Sequence, residues 1–426
     1  MLKRIRIRGF KSLADVTVGG LTPLVVIFGP NAAGKSNFLE ALVLLSRLVT
    51  ERTLGDAFDA PLRGYPAEQF TLPPEGLAGL LGSDHSELSI EADVEPPAAP
   101  GKRVHDLRYR VGIRIAPKSG TLSLVDEYLA RLRKKDGTPE ERPRIERINE
   151  HLALRRRQVS GTRQQQFLLD LNHTLASNPQ LSGRTYPDFD NLRAELAAWH
   201  AYYLDPRVAM RAPQPPREVT DVGTRGEWIA PFLYRLRESE RHRRRFDAVG
   251  RALRSAIPTI ESLDVELDRK RGTLDIEIRQ EGTTYSSRVM SEGTLRILAL
   301  CALAANPWPN TLVAFEEPEN GVQPRRIEVI ARLLASMADT AGRQVIVTTH
   351  SPGLISALAR LSWERPELAS VYRCIQRGRS TELRRFESLA PILKRIEQLH
   401  IDDALRGPED EARLLAEGLS RGWWDG

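Results

Sequence analysis

The chain opens on a two-residue rhythm. Ile5 and Ile7 alternate with Arg4, Arg6 and Arg8, the period of a half-buried strand. An unbroken apolar run follows at Leu24 to Phe28, as in a central strand covered on both faces. Gly29 ends that run. From Ser36 the period lengthens, with Phe38, Leu39, Leu42, Leu45 and Val49 at helical spacing. The first fifty residues therefore predict strand, turn, strand, glycine-bearing loop and helix.

Beyond Arg52 the pattern dissolves into glycine and proline up to Pro100, which predicts loops and short elements. Leu107 to Ile115 and Thr121 to Tyr128 read as strands around the turn Pro117 to Gly120. The charged stretch Pro139 to Arg163 reads as a loop followed by a helix, and Gln164 to Tyr203 as mainly helical. Helical spacing is clear between Glu227 and Ile257, and Leu263–Glu266 with Thr273–Arg279 suggests a strand pair. Then come a helix (Thr294–Ala305), a strand (Leu312–Phe315), a helix (Arg325–Ala338) and a strand (Gln344–Thr348). Val371–Gln376 and Thr381–Phe386 are late strands. The tail from Ser388 looks helical and ends in Trp423 and Trp424, which either dock on the protein itself or meet a partner.

Composition narrows the classes. The 426 residues are 41% hydrophobic and 28% charged, within the soluble globular range. No apolar run approaches the roughly 20 residues of a membrane helix, and the N-terminus lacks a signal-peptide core, so a cytoplasmic protein with no membrane partner is expected. Cys301 and Cys374 lack neighbours at metal-ligand spacing and read as buried thiols. The net charge is +6, supplied far more by arginine than by lysine, a balance suited to phosphate surfaces. Arg241, His242, Arg243, Arg244 and Arg245 form one basic cluster and Arg155, Arg156 and Arg157 another. Each is either a solvated face or a contact for DNA backbone.

Four segments carry chemistry. Gly29-Pro30-Asn31-Ala32-Ala33-Gly34-Lys35-Ser36 matches G-x-x-x-x-G-K-[ST], follows a strand and opens a helix. Such a loop wraps polyphosphate with backbone N–H groups, and the helix aims its positive end at the same anion. Lys35 can reach the β- and γ-phosphates of ATP and Ser36 can coordinate Mg²⁺. Leu312–Phe315 runs into Glu316 and Glu317. There Glu316 is a candidate metal carboxylate, and Glu317 a candidate to polarise the attacking water. Ser291-Glu292-Gly293 precedes an apolar helix; Ser291 caps it or donates to a phosphate, and Gly293 permits close backbone approach. His350 follows the strand Val345–Thr349 and is a candidate γ-phosphate sensor.

The order and spacing of these segments resemble ABC-type ATPase heads of the RecF, SMC and OLD branch. Ile5 to Leu13, with its Phe10-Lys11-Ser12 turn, resembles that branch's first strand. The GPN start of the loop followed by Ser36-Asn37-Phe38-Leu39-Glu40, the Ser291–Arg296 signature, the Glu316–Gly321 turn and Thr349–Pro352 resemble its remaining motifs. The resemblance implies an α/β P-loop NTPase of ABC-ATPase head type, a mixed-sheet core with a helical signature subdomain and a β-rich insertion. Its expected divisions are 1–60 plus 300–386 for the nucleotide core, 61–165 for the insertion, 166–299 for the helical subdomain and 387–426 for a helical tail. It implies a homodimer closing around two ATP molecules, Asn37 among the loop residues, and Ser291 and Gly293 touching the γ-phosphate from the other protomer. Glu317 would be the base, Glu316 the metal ligand, His350 the sensor and Asn320 an interface residue.

DNA repair and anti-phage defence are the settings implied, with DNA or a separate nuclease or toxin subunit as partner. The alternative is a slow ATPase serving as a sensor platform for such a subunit. No long heptad stretch lies between the phosphate loop and the Ser291–Arg296 signature, and no Asp-x-Asp nuclease signature follows His350. Ala32 stands where the branch has glycine, which is strain-free only if its φ is negative. Gln69 is a candidate for the branch's Q-loop glutamine.

Overall fold

The computed structural model describes residues 1–97, 104–155, 165–340, 342–386 and 418. In chain order the first strands are β1 (Leu2–Phe10), β2 (Leu13–Gly19) and β3 (Leu24–Phe28). Helices α1 (Lys35–Thr50), α2 (Leu54–Phe58) and α3 (Gly76–Gly82) follow. Next are β4 (Ser86–Val94), β5 (Leu107–Ala116), β6 (Thr121–Arg131), β7 (Ile145–Ile148), β8 (His151–Leu154) and β9 (Gln165–Leu168). Helix α4 (Pro187–Ala197) and β10 (Trp199–Tyr202) lead to α5 (Ile229–Glu238) and α6 (Arg243–Ala256). After them come β11 (Ile260–Asp268), β12 (Thr273–Gln280), β13 (Thr283–Ser286) and α7 (Glu292–Ala304). The described chain closes with β14 (Leu312–Glu316), α8 (Ile327–Asp339), β15 (Gln344–Thr349), α9 (Pro352–Glu364), β16 (Ala369–Arg377) and β17 (Ser380–Arg385).

Two compact units divide the chain: Met1–Leu21, Pro30–Trp199 and Arg373–Arg384 form the first, and Thr22–Gly29, His200–Tyr372 and Arg385–Gly426 the second. The first unit is built on an eight-stranded sheet ordered β2-β1-β4-β5-β6-β7-β8-β9. Antiparallel register aligns Ile7 with Ile90 and Ile90 with Val111, so one face is a continuous apolar layer. The opposite face carries arginines paired with acids, among them Arg108 with Asp93 at 2.6 Å and Arg110 with Asp126 at 2.6 Å.

In the second unit β14, β15 and β3 run parallel, pairing Val313 with Val345 and Val345 with Leu24. Every residue of β3 and β15 is buried, which explains why Leu24–Phe28 reads as an unbroken apolar run. The core of this unit gathers Val26, Phe28, Phe232, Leu253, Leu298, Phe315, Leu334 and Leu358 from its strands and helices.

The sequence reading missed several elements. Residues 156–163 of the stretch Pro139–Arg163 lie outside the described residues; its described part contains the β7–β8 hairpin, turning at Asn149 with φ 54°. Its alternation spans only four residues per strand and is masked by charge. Within Gln164–Tyr203 only α4 is α-helical, and β9 and β10 are strands. The nine-residue β4 lies in the stretch read as loops; Leu88, Ile90, Ala92 and Val94 face inward. Apart from Gly418, the tail from Ser388, with Trp423 and Trp424, lies outside the described residues, as do Arg156 and Arg157.

Candidate functional site: a phosphate loop and an acid turn

The phosphate loop leaves β3 through Gly29 and enters α1 at Lys35. Ala32 has φ 64° and Gly34 φ 100°. Two left-handed residues so close turn successive N–H groups to one side, the geometry of an anion nest. Ala32 therefore does not have the negative φ that would make it an innocuous replacement for glycine. Its left-handed backbone costs roughly 1 kcal/mol, and the surroundings must hold it there.

Those surroundings are visible within the first unit. Asn37 Nδ2 donates to Ser12 Oγ at 2.8 Å, and Ser12 and Thr381 hydroxyls bond at 2.7 Å. Thr381 Oγ1 donates to the Ala33 carbonyl at 2.8 Å, and the Cys374 thiol donates to the same oxygen at 3.2 Å. Because Thr381 gives its proton to the loop, Ser12 must give its own to Thr381, which makes a directed chain from Asn37 to Ala33. The packing is close: a Cβ on Gly34 would lie 2.1 Å from Thr381 Oγ1. Burial pushes the Cys374 thiol up to about 12, although Lys35 opposes that shift, so the sulfur is a neutral donor.

Lys35 is 5% exposed and its ammonium donates to the Pro30 carbonyl at 2.9 Å. Gly34 supplies no side-chain cap to α1, leaving capping of that helix end to an anion. On the other side of α1, Glu40 is 1% exposed and binds Lys11 at 2.5 Å and Arg63 at 2.7 Å. Burial pushes its carboxyl up, but the two cations outweigh burial and the net direction is down. Gln69 is fully buried; its Nε2 donates to the Arg63 carbonyl at 2.8 Å and its Oε1 meets no partner.

The acid turn belongs to the second unit. Glu316 ends β14. Glu317 follows in a left-handed conformation, φ 44°, and its amide donates to the Thr348 carbonyl at 3.0 Å. Both of its carboxylate oxygens are held: Oε1 lies 2.8 Å from His350 Nδ1, and Oε2 accepts from Asn320 Nδ2 at 2.8 Å. A carboxylate fixed by two partners on a strained backbone is the kind of outlier that marks functional positions. Glu319 is 5% exposed, accepts from the Thr349 hydroxyl and leaves Oε2 without a partner. Burial pushes its carboxyl up, against the Thr349 bond.

Ser291 is the N-cap of α7, accepting from Thr294 N at 3.2 Å, and it is exposed. Gly293 lies against the acid turn, where a Cβ would meet the Gly321 carbonyl at 2.8 Å. Glu292 is tied to Arg207 at 2.7 Å.

Within the second unit, then, the structure brings Glu317, Asn320 and His350 together and sets Gly293 against the turn that carries them. Within the first it assembles Pro30 to Asn37 around Ala33. The Ser12–Thr381–Cys374 brace was not legible in the sequence as a unit; only Ser12 carried a signal, through its place in the Phe10-Lys11-Ser12 turn.

Hard oxygen donors of the kind Mg²⁺ prefers are present in Ser36 and Glu316. Among the described residues no group of three or more His, Cys, Asp or Glu could hold a metal ion.

A parallel sheet whose strand ends carry a glycine-framed phosphate loop and an acid turn, with a serine-capped helix packed on that turn, defines a P-loop ATPase head. The chain belongs to the family described as "AAA domain, putative AbiEii toxin, Type IV TA system", whose model matches residues 24–356. No curated protein matches the sequence. Among solved structures it is similar to an SMC head bound to the C-terminal winged-helix domain of ScpA, with TM-score 0.52 and 15% identity over 92% of this chain and 99% of that one. A Pyrococcus furiosus SMC head with an extended coiled coil, bound to the C-terminal domain of ScpA, matches at TM-score 0.48 and 12% identity over 93% and 99%. The fold is that of an SMC-type ABC ATPase head. Among the described residues the longest helix has 16 residues, so they contain no coiled-coil arm, and none is long and apolar enough to cross a membrane.

Proposed function

We propose that this protein binds and hydrolyses ATP, that two copies close head to head around the nucleotide, and that the cycle gates DNA or an effector chain in DNA repair or anti-phage defence. The observation that carries the reading is the clamped Glu317: a left-handed acid at a strand end, held by His350 and Asn320, in a chain that also has a left-handed phosphate nest. Residues Gly29 to Asn37 bind the polyphosphate, with Lys35 neutralising its charge. Ser36 and Glu316 hold Mg²⁺, which supplies charge stabilisation on the transferring phosphoryl group. Glu317 orients the attacking water and takes up its proton. His350 fixes the rotamer of Glu317 and senses the terminal phosphate. Ser291 and Gly293 are offered to the nucleotide of a second copy.

ATP turnover of the wild type and of Glu317→Gln tests this. The variant keeps ATP affinity, loses roughly 100-fold or more in kcat, and accumulates as a dimer in ATP. Unchanged turnover would remove Glu317 as the base. Failure of Lys35→Ala to weaken ATP binding would remove the loop assignment.

The family description names a toxin of a toxin–antitoxin system, which favours a second reading. In it the ATPase is slow and serves as a platform for a separate nuclease or toxin subunit. Stable co-purification with such a subunit and no stimulation of turnover by DNA would select it.

A further inference from the structure

Helix α6 carries a charge pattern that its own fold does not use. Phe246, Val249, Leu253 and Ala256 face the core, while Arg243, Arg244, Arg245, Arg251 and Arg254 are exposed. At 100° per residue, Arg244, Arg251 and Arg254 share an arc of about 80° along roughly 15 Å of helix. Among the described residues no acid lies within ion-pair distance of Arg244, Arg245, Arg251 or Arg254; the single acid on the exposed face, Asp247, faces Arg243 at 3.8 Å. Three arginines crowd the first turn, with no acid there and no side-chain cap from His242. That arrangement opposes the helix dipole, whose positive end favours anions.

A second, independent feature meets the same helix end. Arg245 borders a pocket of about 530 Å³ with Trp308, Asn310, Thr340 and Arg343 on its walls. Arg343 is buried and spends its guanidinium on the Leu303 and Asn306 carbonyls at the end of α7. Burial holds Arg343 below its ordinary value and the Arg245 guanidinium adds to that, against Tyr202 and Asp221. Asn310 is 4% exposed; its side chain lies by the Tyr202 phenol, and neither Nδ2 nor Oδ1 makes a well-formed hydrogen bond. The Tyr202 phenol beside it gives its proton to Asp221. A buried amide without a well-formed bond is costly to keep, and a pocket that holds one near the Arg245 and Arg343 guanidiniums suits a polar, anionic guest.

We propose that the arginine ridge of α6 and the pocket at its N-terminal end bind the phosphate backbone of a nucleic acid, with one phosphate seated against Arg245 at the pocket. The inference gives the DNA-gating reading above a surface and rests on it. The contacts are to phosphates, so binding is insensitive to base sequence and steeply dependent on salt.

The test uses the full chain and fluorescence anisotropy of labelled 30-nucleotide single strands and 30-base-pair duplexes, titrated with salt in the absence of ATP. The double reversal Arg244→Glu/Arg251→Glu is expected to weaken binding at least tenfold and to lower the slope of log K against log[salt] by about 2. Arg244→Lys/Arg251→Lys keeps the slope. Arg245→Ala lowers it by about 1. The two oligonucleotide forms show whether the backbone is read in a duplex or a single strand. ATP turnover without DNA is measured alongside and stays at the wild-type value in all variants. A wild type that hydrolyses ATP but binds neither oligonucleotide, or a charge reversal that leaves affinity and slope unchanged, overturns the ridge and spares the ATPase assignment. Stronger capture of an acidic polypeptide, poly-glutamate, than of either oligonucleotide also overturns it, in favour of a protein partner. Loss of ATP turnover in the wild type, with the ridge binding intact, overturns the ATPase assignment alone.

Discussion

Replacing Thr381 by valine removes one hydroxyl and keeps the side chain's shape at a position 2% exposed. The variant breaks the chain Asn37–Ser12–Thr381–Ala33 at its third link: the 2.8 Å bond to the Ala33 carbonyl disappears, and the Ser12 hydroxyl, 2.7 Å away, loses its acceptor. At about 1 kcal/mol for each bond, the loop loses roughly 2 kcal/mol of support, with only the Cys374 thiol left on Ala33. Ala32 and Gly34 sit in left-handed conformations that the loop must keep to present its N–H groups, so this loss falls on nucleotide binding. Two kcal/mol corresponds to about a 30-fold weaker Kd. Calorimetric titration with a non-hydrolysable ATP analogue measures it. Steady-state turnover at saturating ATP should show kcat within about threefold of wild type once the loop is filled, so the effect sits in KM. Thr381→Ser, which keeps the donor, should restore most of the affinity. Equal analogue affinity in the valine variant, or a fall in kcat at unchanged KM, would refute the idea that the β16–β17 hairpin holds the loop.

The remaining expectations concern backbone strain and pH. Ala32→Gly relieves about 1 kcal/mol of left-handed strain and gives back a similar amount in unfolded-chain entropy, so denaturant unfolding should show little net change, whereas Ala32→Val should destabilise by more than 1 kcal/mol. The fully buried Glu127 accepts from the Leu175 and Ala176 amides and the Tyr109 hydroxyl, and burial still raises its pKa from 4.5 to about 7. The folded state thus holds this proton more tightly than the unfolded chain. Stability from this group is fully present below about pH 4.5 and declines as pH rises through about 7, by roughly 3 kcal/mol in all. Unfolding free energies of wild type and Glu127→Gln across that range should converge at low pH in slope and diverge above it; parallel curves would exclude Glu127 as the titrating group.

Much of this was legible because the relevant chemistry is local. Gly29 to Ser36 announces itself through spacing and through the strand and helix on either side, and Glu316–Glu317 and His350 each stand at the end of a largely buried strand. What escaped the sequence is what folding brings from afar. Ser12, Asn37, Cys374 and Thr381 share no motif, and up to 369 positions separate the bonded pair Ser12 and Thr381. The φ of Ala32 is likewise invisible in a residue type that normally avoids positive values. The β7–β8 hairpin was hidden by charges flanking strands only four residues long. The pairing of Glu317 with His350 needed the register of β14 on β15, which puts Glu316 beside Thr348.

The contact between Gly293 and the Gly321 carbonyl leaves no space for even a methyl group. The start of α7 and the turn bearing Glu317 are therefore mechanically one part. A displacement of either is handed to the other at once, with no chain of side chains in between. If Glu317 is the base and two copies close head to head as proposed, a shift of its carboxylate as substrate is consumed would move the neighbouring serine cap in the same stroke, and the two heads would keep time through their backbones.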